Sequence, residues 1–226
     1  MAQATASRLY TPAPNQYRCT MDSAFLITAF ATLFVVIDPV GLTPIFIALT
    51  TGSGPAHRRA IALRACGIAF AILTLFAFFG EAVLGFIGIG MPAFRIAGGI
   101  LLFLTALDML FERRSKRRKG AADEEDHPDP SVFPMAIPLI AGPGAIASII
   151  LLTGQTPDWI GFFGVLGVMA TVMLLVLGFF LSAGPIERAL GRTGITVVTR
   201  LLGMLLAALS VQFVLDGLRA FGLGGL

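Results

Sequence analysis

At 226 residues the chain is 56% hydrophobic and only 13% charged, with mean hydropathy +0.88, where a soluble domain carries about 25% charged residues. A water-soluble fold of this size could not hide so much apolar surface, so lipid is its main solvent. The net charge of +3 and an aromatic set of 19 Phe, one Trp and two Tyr give no sign of a nucleic-acid partner.

In chain order, residues 1–22 form a polar leader containing Pro12 and Pro14, expected to be disordered. No apolar core of about 7–15 residues precedes Ala24, so this is no secretory signal. Met21, immediately before the first apolar run, is an alternative start. Crossing a bilayer takes about 20 apolar residues, and six stretches qualify. The first three, Ser23 to Leu49, Ala60 to Ile89 and Pro92 to Phe111, fill residues 23–111. A charged loop follows at residues 112–131, first basic (ERRSKRRKG) and then acidic (AADEEDHPDP), read as a solvated linker. Its basic block could also contact lipid headgroups. Residues 132–226 hold the other three stretches, Phe133 to Leu152, Trp159 to Leu181 and Leu201 to Ala220.

With six spans, the loops after spans one, three and five share one face. That face carries twelve of the sixteen Lys and Arg residues and the other carries four. The positive-inside rule then puts the charged loop in the cytoplasm and both termini outside. Cys19 and Cys66 are too far apart in character and sequence to suggest a metal site or a disulfide.

The two halves repeat each other. Arg95 and Arg200 stand 105 residues apart, as do Gly98 and Gly203, and Pro39 and Pro143 stand 104 apart. Three spans per half is an odd number, so the second half enters the membrane from the opposite side. The expected fold is therefore all-α, six transmembrane helices arranged as two inverted three-helix repeats, as in many secondary transporters.

Spans one and four are each interrupted near the middle, by IDPVGLTP and by IPLIAGPGA. Proline removes a backbone donor and crowds the preceding turn, and freed polar groups are costly in hydrocarbon unless protein or water satisfies them. Asp38-Pro39 reads as an N-cap followed by proline at the first helical position, and Gly142-Pro143 as its counterpart. Each restarted helix would present N–H groups and the positive end of its dipole near the midplane. The candidate substrate or ion site is thus Asp38, Pro39, Gly41, Thr43, Pro44, Gly142, Pro143, Gly144 and Ser148. A charge inside a span costs about 2.5–3.5 kcal/mol or more, so Asp38 is a cap, a partner of a cation, or protonated. Arg95 and Arg200, at span starts on opposite faces, suit snorkelling or a structural or gating role. Gln212 and Thr105 are further polar linings, although such residues also join helices without other function. Asp108 and Asp216 sit near span ends and read as interfacial. No nucleophile–base pair, phosphate loop or metal spacing is present, and His57 and His127 both lie in loops. No enzyme activity, cofactor or metal is expected.

The strings DPVGLTPIFIALT, GIGMPAFRIAGGILLF, PMAIPLIAGPGAIA and GITVVTRLLGMLLAALSVQFVLDGL closely resemble the MarC family of bacterial inner-membrane proteins. The likeness covers nearly everything from Ala24 to Gly222. It implies a six-span plasma-membrane protein and, for some members, a link to transport of neutral amino acids such as glycine and alanine.

The reading that follows is a secondary transporter for small neutral amino acids, working by alternating access at the two breaks. A proton or Na⁺ would couple it, with Asp38 as ligand; the oligomeric state is left open. The alternative is a non-transporting scaffold or stress-response protein whose prolines only kink packed helices. A transporter should bring the tips of spans one and four together around a polar cavity, and a scaffold should pack that region dry.

Overall fold

The computed structural model describes residues 23–111, 130–156 and 158–222. The polar leader and nearly all of the charged loop lie outside the described residues, and Cys19 with them. Among the described residues eight helical segments follow one another: α1 (Ser23–Ile37), α2 (Pro39–Leu49), α3 (Pro55–Ile87), α4 (Met91–Leu110), α5 (Ser131–Ile140), α6 (Pro143–Thr153), α7 (Trp159–Leu181) and α8 (Ala183–Ala220). Five stretches are long and apolar enough to cross a bilayer, and the bent pair α5–α6, with 56° between its halves, brings the number to as many as six.

Span one runs over α1 and α2, with a one-residue joint between them. Asp38 there adopts φ 57°, ψ 67°. The ladder closes around it, with Asp38 N donating to Phe34 O at 2.9 Å and Leu42 N to Asp38 O at 3.0 Å. At about 1.5 Å per residue, the 33 residues of α3 reach about 50 Å, well beyond a hydrocarbon core of about 30 Å.

Span four departs further from the expected helix. It begins at Ser131, and its first half has no regular α ladder: Met135 N donates to Pro130 O and Ala141 N to Ala136 O, each five residues back. Phe133 (φ −121°, ψ 130°) and Ile137 (φ −127°, ψ 125°) are extended. Each precedes a proline, Pro134 and Pro138, whose ring crowds the residue before it out of the α region. Two prolines four residues apart thus unwind one turn after another. Span six also differs from expectation. Helix α8 begins at Ala183, breaks at Gly191 (φ 60°, ψ 175°), and its spanning arm is Thr193–Ala220 rather than Leu201 to Ala220. Arg200 accordingly sits about two turns inside that arm, not at its start.

The most extensive helix pairing is that of α4 with α8. Glycines allow it: a methyl added at Gly99 would stand 2.8 Å from the Ser210 carbonyl oxygen, and one at Gly217 would stand 3.0 Å from that of Pro92. Close backbone approach of this kind drives helix association where lipid offers no hydrophobic contrast. Around this seam α1 packs on α6, α7 and α8, α2 on α7 and α8, α3 on α5, α6 and α7, and α4 on α6. Leu33, Ile37, Phe46, Leu102, Ile149 and Phe180 are fully buried, while Phe86, Leu174, Met204 and Leu205 face outward. An apolar exterior over a packed interior is what a lipid solvent allows.

Candidate functional site

The two breaks lie close together. Gly144, in the first turn of α6, rests against Val36 of α1, so that a methyl there would be 3.3 Å from Val36 Cγ1, with Leu102 and Thr105 of α4 at 3.5 and 3.6 Å. A bare glycine backbone at the start of α6 thus faces the end of α1.

At the first break Asp38 is only 1% exposed, and its Oδ1 accepts a hydrogen bond from Gly41 N at 3.0 Å. This is the cap expected from Asp-Pro, set in a left-handed conformation that Asp tolerates better than most residues. Gly41 has a reason of its own: any side chain there would collide with the Asp38 carboxylate folded over it. One turn on, Thr43 Oγ1 donates to Pro39 O at 2.9 Å, so its hydroxyl is occupied within its own helix. Pro44, half-buried within α2, removes the N–H that would have met the Val40 carbonyl.

The second break is built differently. Helix α6 starts at Pro143, and Gly142 as its N-cap supplies no side-chain hydrogen bond. The first intrahelical bond here is Ile146 N to Gly142 O at 3.0 Å, which leaves the Gly144 and Ala145 N–H groups ahead of the ladder. Pro143 itself is exposed and Gly142 half-buried, whereas Gly144 and Ser148 are buried. Two fully buried hydroxyls, Ser148 Oγ on α6 and Thr32 Oγ1 on α1, have no hydrogen-bond partner among the described residues. An unmet buried hydroxyl carries its desolvation cost, about 1–3 kcal/mol, with no return. Thr32 was not among the sequence candidates; its signal, a hydroxyl 6 residues before Asp38 in an apolar run, was available. The tips meet without the polar cavity expected of a transporter: Asp38, Thr32, Thr43 and Ser148 are all at 0–1% exposure, the dry packing expected of a scaffold.

These hydroxyls yield a direct expectation. Thr32→Val and Ser148→Ala, measured by thermal unfolding in detergent, should match or exceed the parent by up to about 1 kcal/mol, because no hydrogen bond is lost. A marked loss of stability in both would mean that these hydroxyls are satisfied after all.

The remaining candidates are more scattered. Thr105, half-buried, donates to Leu101 O at 3.0 Å and borders Gly144. Arg95 is half-buried near the start of α4, with its Nε enclosed and without a hydrogen-bond partner among the described residues. Arg200 is exposed on α8. Gln212 is not brought to the breaks: it lies on the exposed side of α8, donating to Asp216 Oδ1 at 2.9 Å, with Arg219 3.6 Å from the same carboxylate.

Two open cavities flank the bundle, near opposite ends of α3 and about 30 Å apart along it. One, of about 300 Å³, is lined by Ala77, Glu81, Thr153, Asp158, Trp159 and Phe162. Asp158 there caps α7, accepting from Gly161 N at 2.9 Å. The other, of about 480 Å³, is lined by Ser53, Pro55, Arg58, Arg59, Phe180 and Pro185 among others. Sequence reading had treated the arginines at this end only as markers of orientation.

Comparison with known proteins agrees with the fold and the motifs. Residues 23–221 match the family described as MarC family integral membrane protein. Among curated relatives, a UPF0056 membrane protein of Archaeoglobus fulgidus is 40% identical over 197 residues, covering 86% of this chain and 92% of the relative. The UPF0056 inner membrane protein YhgN of Escherichia coli K12 is 35% identical, covering 86% and 96%. The UPF0056 membrane protein YvbG of Bacillus subtilis is 37% identical, covering 88% and 96%. No solved structure matches the chain. With nine-tenths or more of each relative covered and the motifs lying on the two breaks, this chain is an integral membrane protein belonging to the MarC family.

Proposed function

We propose that the protein is a secondary transporter of small neutral amino acids, alternating access around the α1–α2 and α5–α6 breaks. The observation that carries this reading is the unequal capping of the two breaks. The first provides its own anion, Asp38, already bonded to the α2 start. The second starts a buried helix with glycine and proline, leaving backbone donors and the positive end of a dipole with no side-chain anion. A zwitterion complements that pair, its carboxylate at the start of α6 and its ammonium, or a coupling H⁺ or Na⁺, at Asp38.

The inverted repeat belongs to the same proposal, and several features support it. Helices α2 and α6 have eleven residues each, and their first residues, Pro39 and Pro143, are as far apart in sequence as Pro55 and Trp159, which open α3 and α7. Exchanging the halves turns α3 on α5 into α7 on α1, α2 on α8 into α6 on α4, and α3 on α6 into α7 on α2, all contacts that exist. The two cavities correspond at the same spacing: Pro55 with Trp159, Arg58 with Phe162, Leu181 with Ala77, and Pro185 with Glu81. In this arrangement both termini face outward and the arginine-lined end faces the cytoplasm, in a bacterial inner membrane like that named for the relative YhgN.

The test is uptake and efflux of labelled glycine and alanine in proteoliposomes, with and without imposed proton or Na⁺ gradients. Flux above empty liposomes, raised by one of the gradients, is expected. No flux from a well-folded sample across a broad substrate panel would leave a scaffold whose prolines only shape its packing.

A further inference from the structure

We propose that the cavity between the starts of α3 and α8 is a binding site for a phosphate group, whether on an anionic lipid headgroup or on a soluble phosphate. Two arginines line it, Arg58 and Arg59, together with Ser53. Arg58 is held in place by an aromatic layer: its guanidinium carbon lies 5.2 Å from the centroid of the Phe46 ring. Phe46 in turn stacks on Phe180 at 4.5 Å and 7°. Stacking fixes the plane of the guanidinium while leaving its N–H edge free to donate. One of those nitrogens, Nη2, is enclosed and has no hydrogen-bond partner among the described residues. Among the described residues this enclosed charged donor meets no acceptor, and an anion beside Arg58 would supply one.

Two helix starts face the same space. Gly54 caps α3 and Ser182 caps α8, neither with a side-chain hydrogen bond, and Pro55, Gly184 and Pro185 line the cavity itself. The first bonds within these helices are Arg58 N to Gly54 O and Ile186 N to Ser182 O, so the donors ahead of them, at Ala56, His57 and Gly184, precede the ladder. Two guanidiniums and the backbone donors at the helix starts suit a group of charge −1 to −2 with several acceptor oxygens, and the planar guanidinium fork matches phosphate geometry, whereas the helix dipoles are offset by the ends of α2 and α7 at the same turns. The cavity's other lining is apolar, Phe180 and Leu181, and Leu181 is 49% exposed toward the surrounding solvent. That edge could hold the first carbons of an acyl chain. The site stands apart from the breaks and does not rest on the transport reading.

The test uses the full chain purified in detergent, with two probes. Inorganic phosphate is titrated by calorimetry, and phosphatidylglycerol retention is followed by native mass spectrometry against diacylglycerol of the same chains. Saturable binding of phosphate or preferential retention of phosphatidylglycerol is expected, weakened about tenfold or more by Arg59→Gln, as for loss of one charge-assisted donor. Arg58→Lys, which keeps charge and stem but loses the fork, should weaken it as well, while Arg219→Gln should leave it unchanged. Phosphate titration alone points to a soluble ligand, and selective retention of phosphatidylglycerol points to the headgroup. The proposal is overturned if neither probe binds saturably, or if binding persists in the Arg58→Gln/Arg59→Gln double variant.

Discussion

If the protein transports as proposed, replacing Asp38 with asparagine should leave it folded and change the ion dependence of flux, whereas Asp38→Ala should destabilise it by about 2 kcal/mol. Asparagine retains a side-chain oxygen for the bond from Gly41 N and tolerates the positive φ at this joint. It removes only the titratable negative charge. Alanine loses the cap, about 1 kcal/mol, and with it the local polar contact that lets Asp tolerate the left-handed conformation, about 1 kcal/mol more. Stability by thermal unfolding and flux at varied pH and Na⁺ separate the two roles. If flux in the asparagine variant keeps the parent's ion dependence, Asp38 is a cap and nothing more. A variant of Pro39 would be less informative, because it changes the joint and the carboxylate position together.

The second large effect lies in the α4–α8 seam. Gly99→Val is expected to destabilise the protein by about 3 kcal/mol, at the upper end for overpacking, because the obstruction is backbone. The new side chain would press on the Ser210 carbonyl and Val214 N of the opposite helix, which cannot rotate away as a side chain can. Gly178→Val, on α7 with nothing within 4 Å of the added carbon, is the matched control and should be close to neutral. Size-exclusion profile and unfolding temperature in the same detergent report both. Similar behaviour of the two variants would show that glycine at position 99 is not required by close approach.

Hydropathy revealed most of this fold because in lipid the apolar exterior is itself the signal, and α7 begins and ends where its apolar run does. The same signal misplaced helices with polar ends. Helix α3 starts at Pro55 rather than Ala60, and α8 reaches back through Arg188 and Gly191, since a helix can continue into the headgroup layer where its residues are no longer apolar. The Asp38 cap was legible because capping is local, resolved within four residues. The unwinding of α5 was legible too, in the two residues Phe133 and Ile137 that each precede a proline, but a reading of span four as one helix with one break passed over it. The arginine cavity could not be read from sequence. Arg58 depends on Phe46 and Phe180, which come from α2 and α7, and only folding brings those rings under one guanidinium.

The glycine seam has a mechanical consequence. Helices whose backbones touch cannot slide or rotate past each other without first lifting apart, so in the proposed alternating-access cycle α4 and α8 would be the stator of the molecule. The moving parts would be the two jointed pairs, whose hydrogen-bond ladders are already interrupted. Each is carried by the opposite half: α6 lies on α4, and α2 lies on α8. A tilt of either pair is therefore borne by a helix from the other half of the chain, and neither half could rock alone.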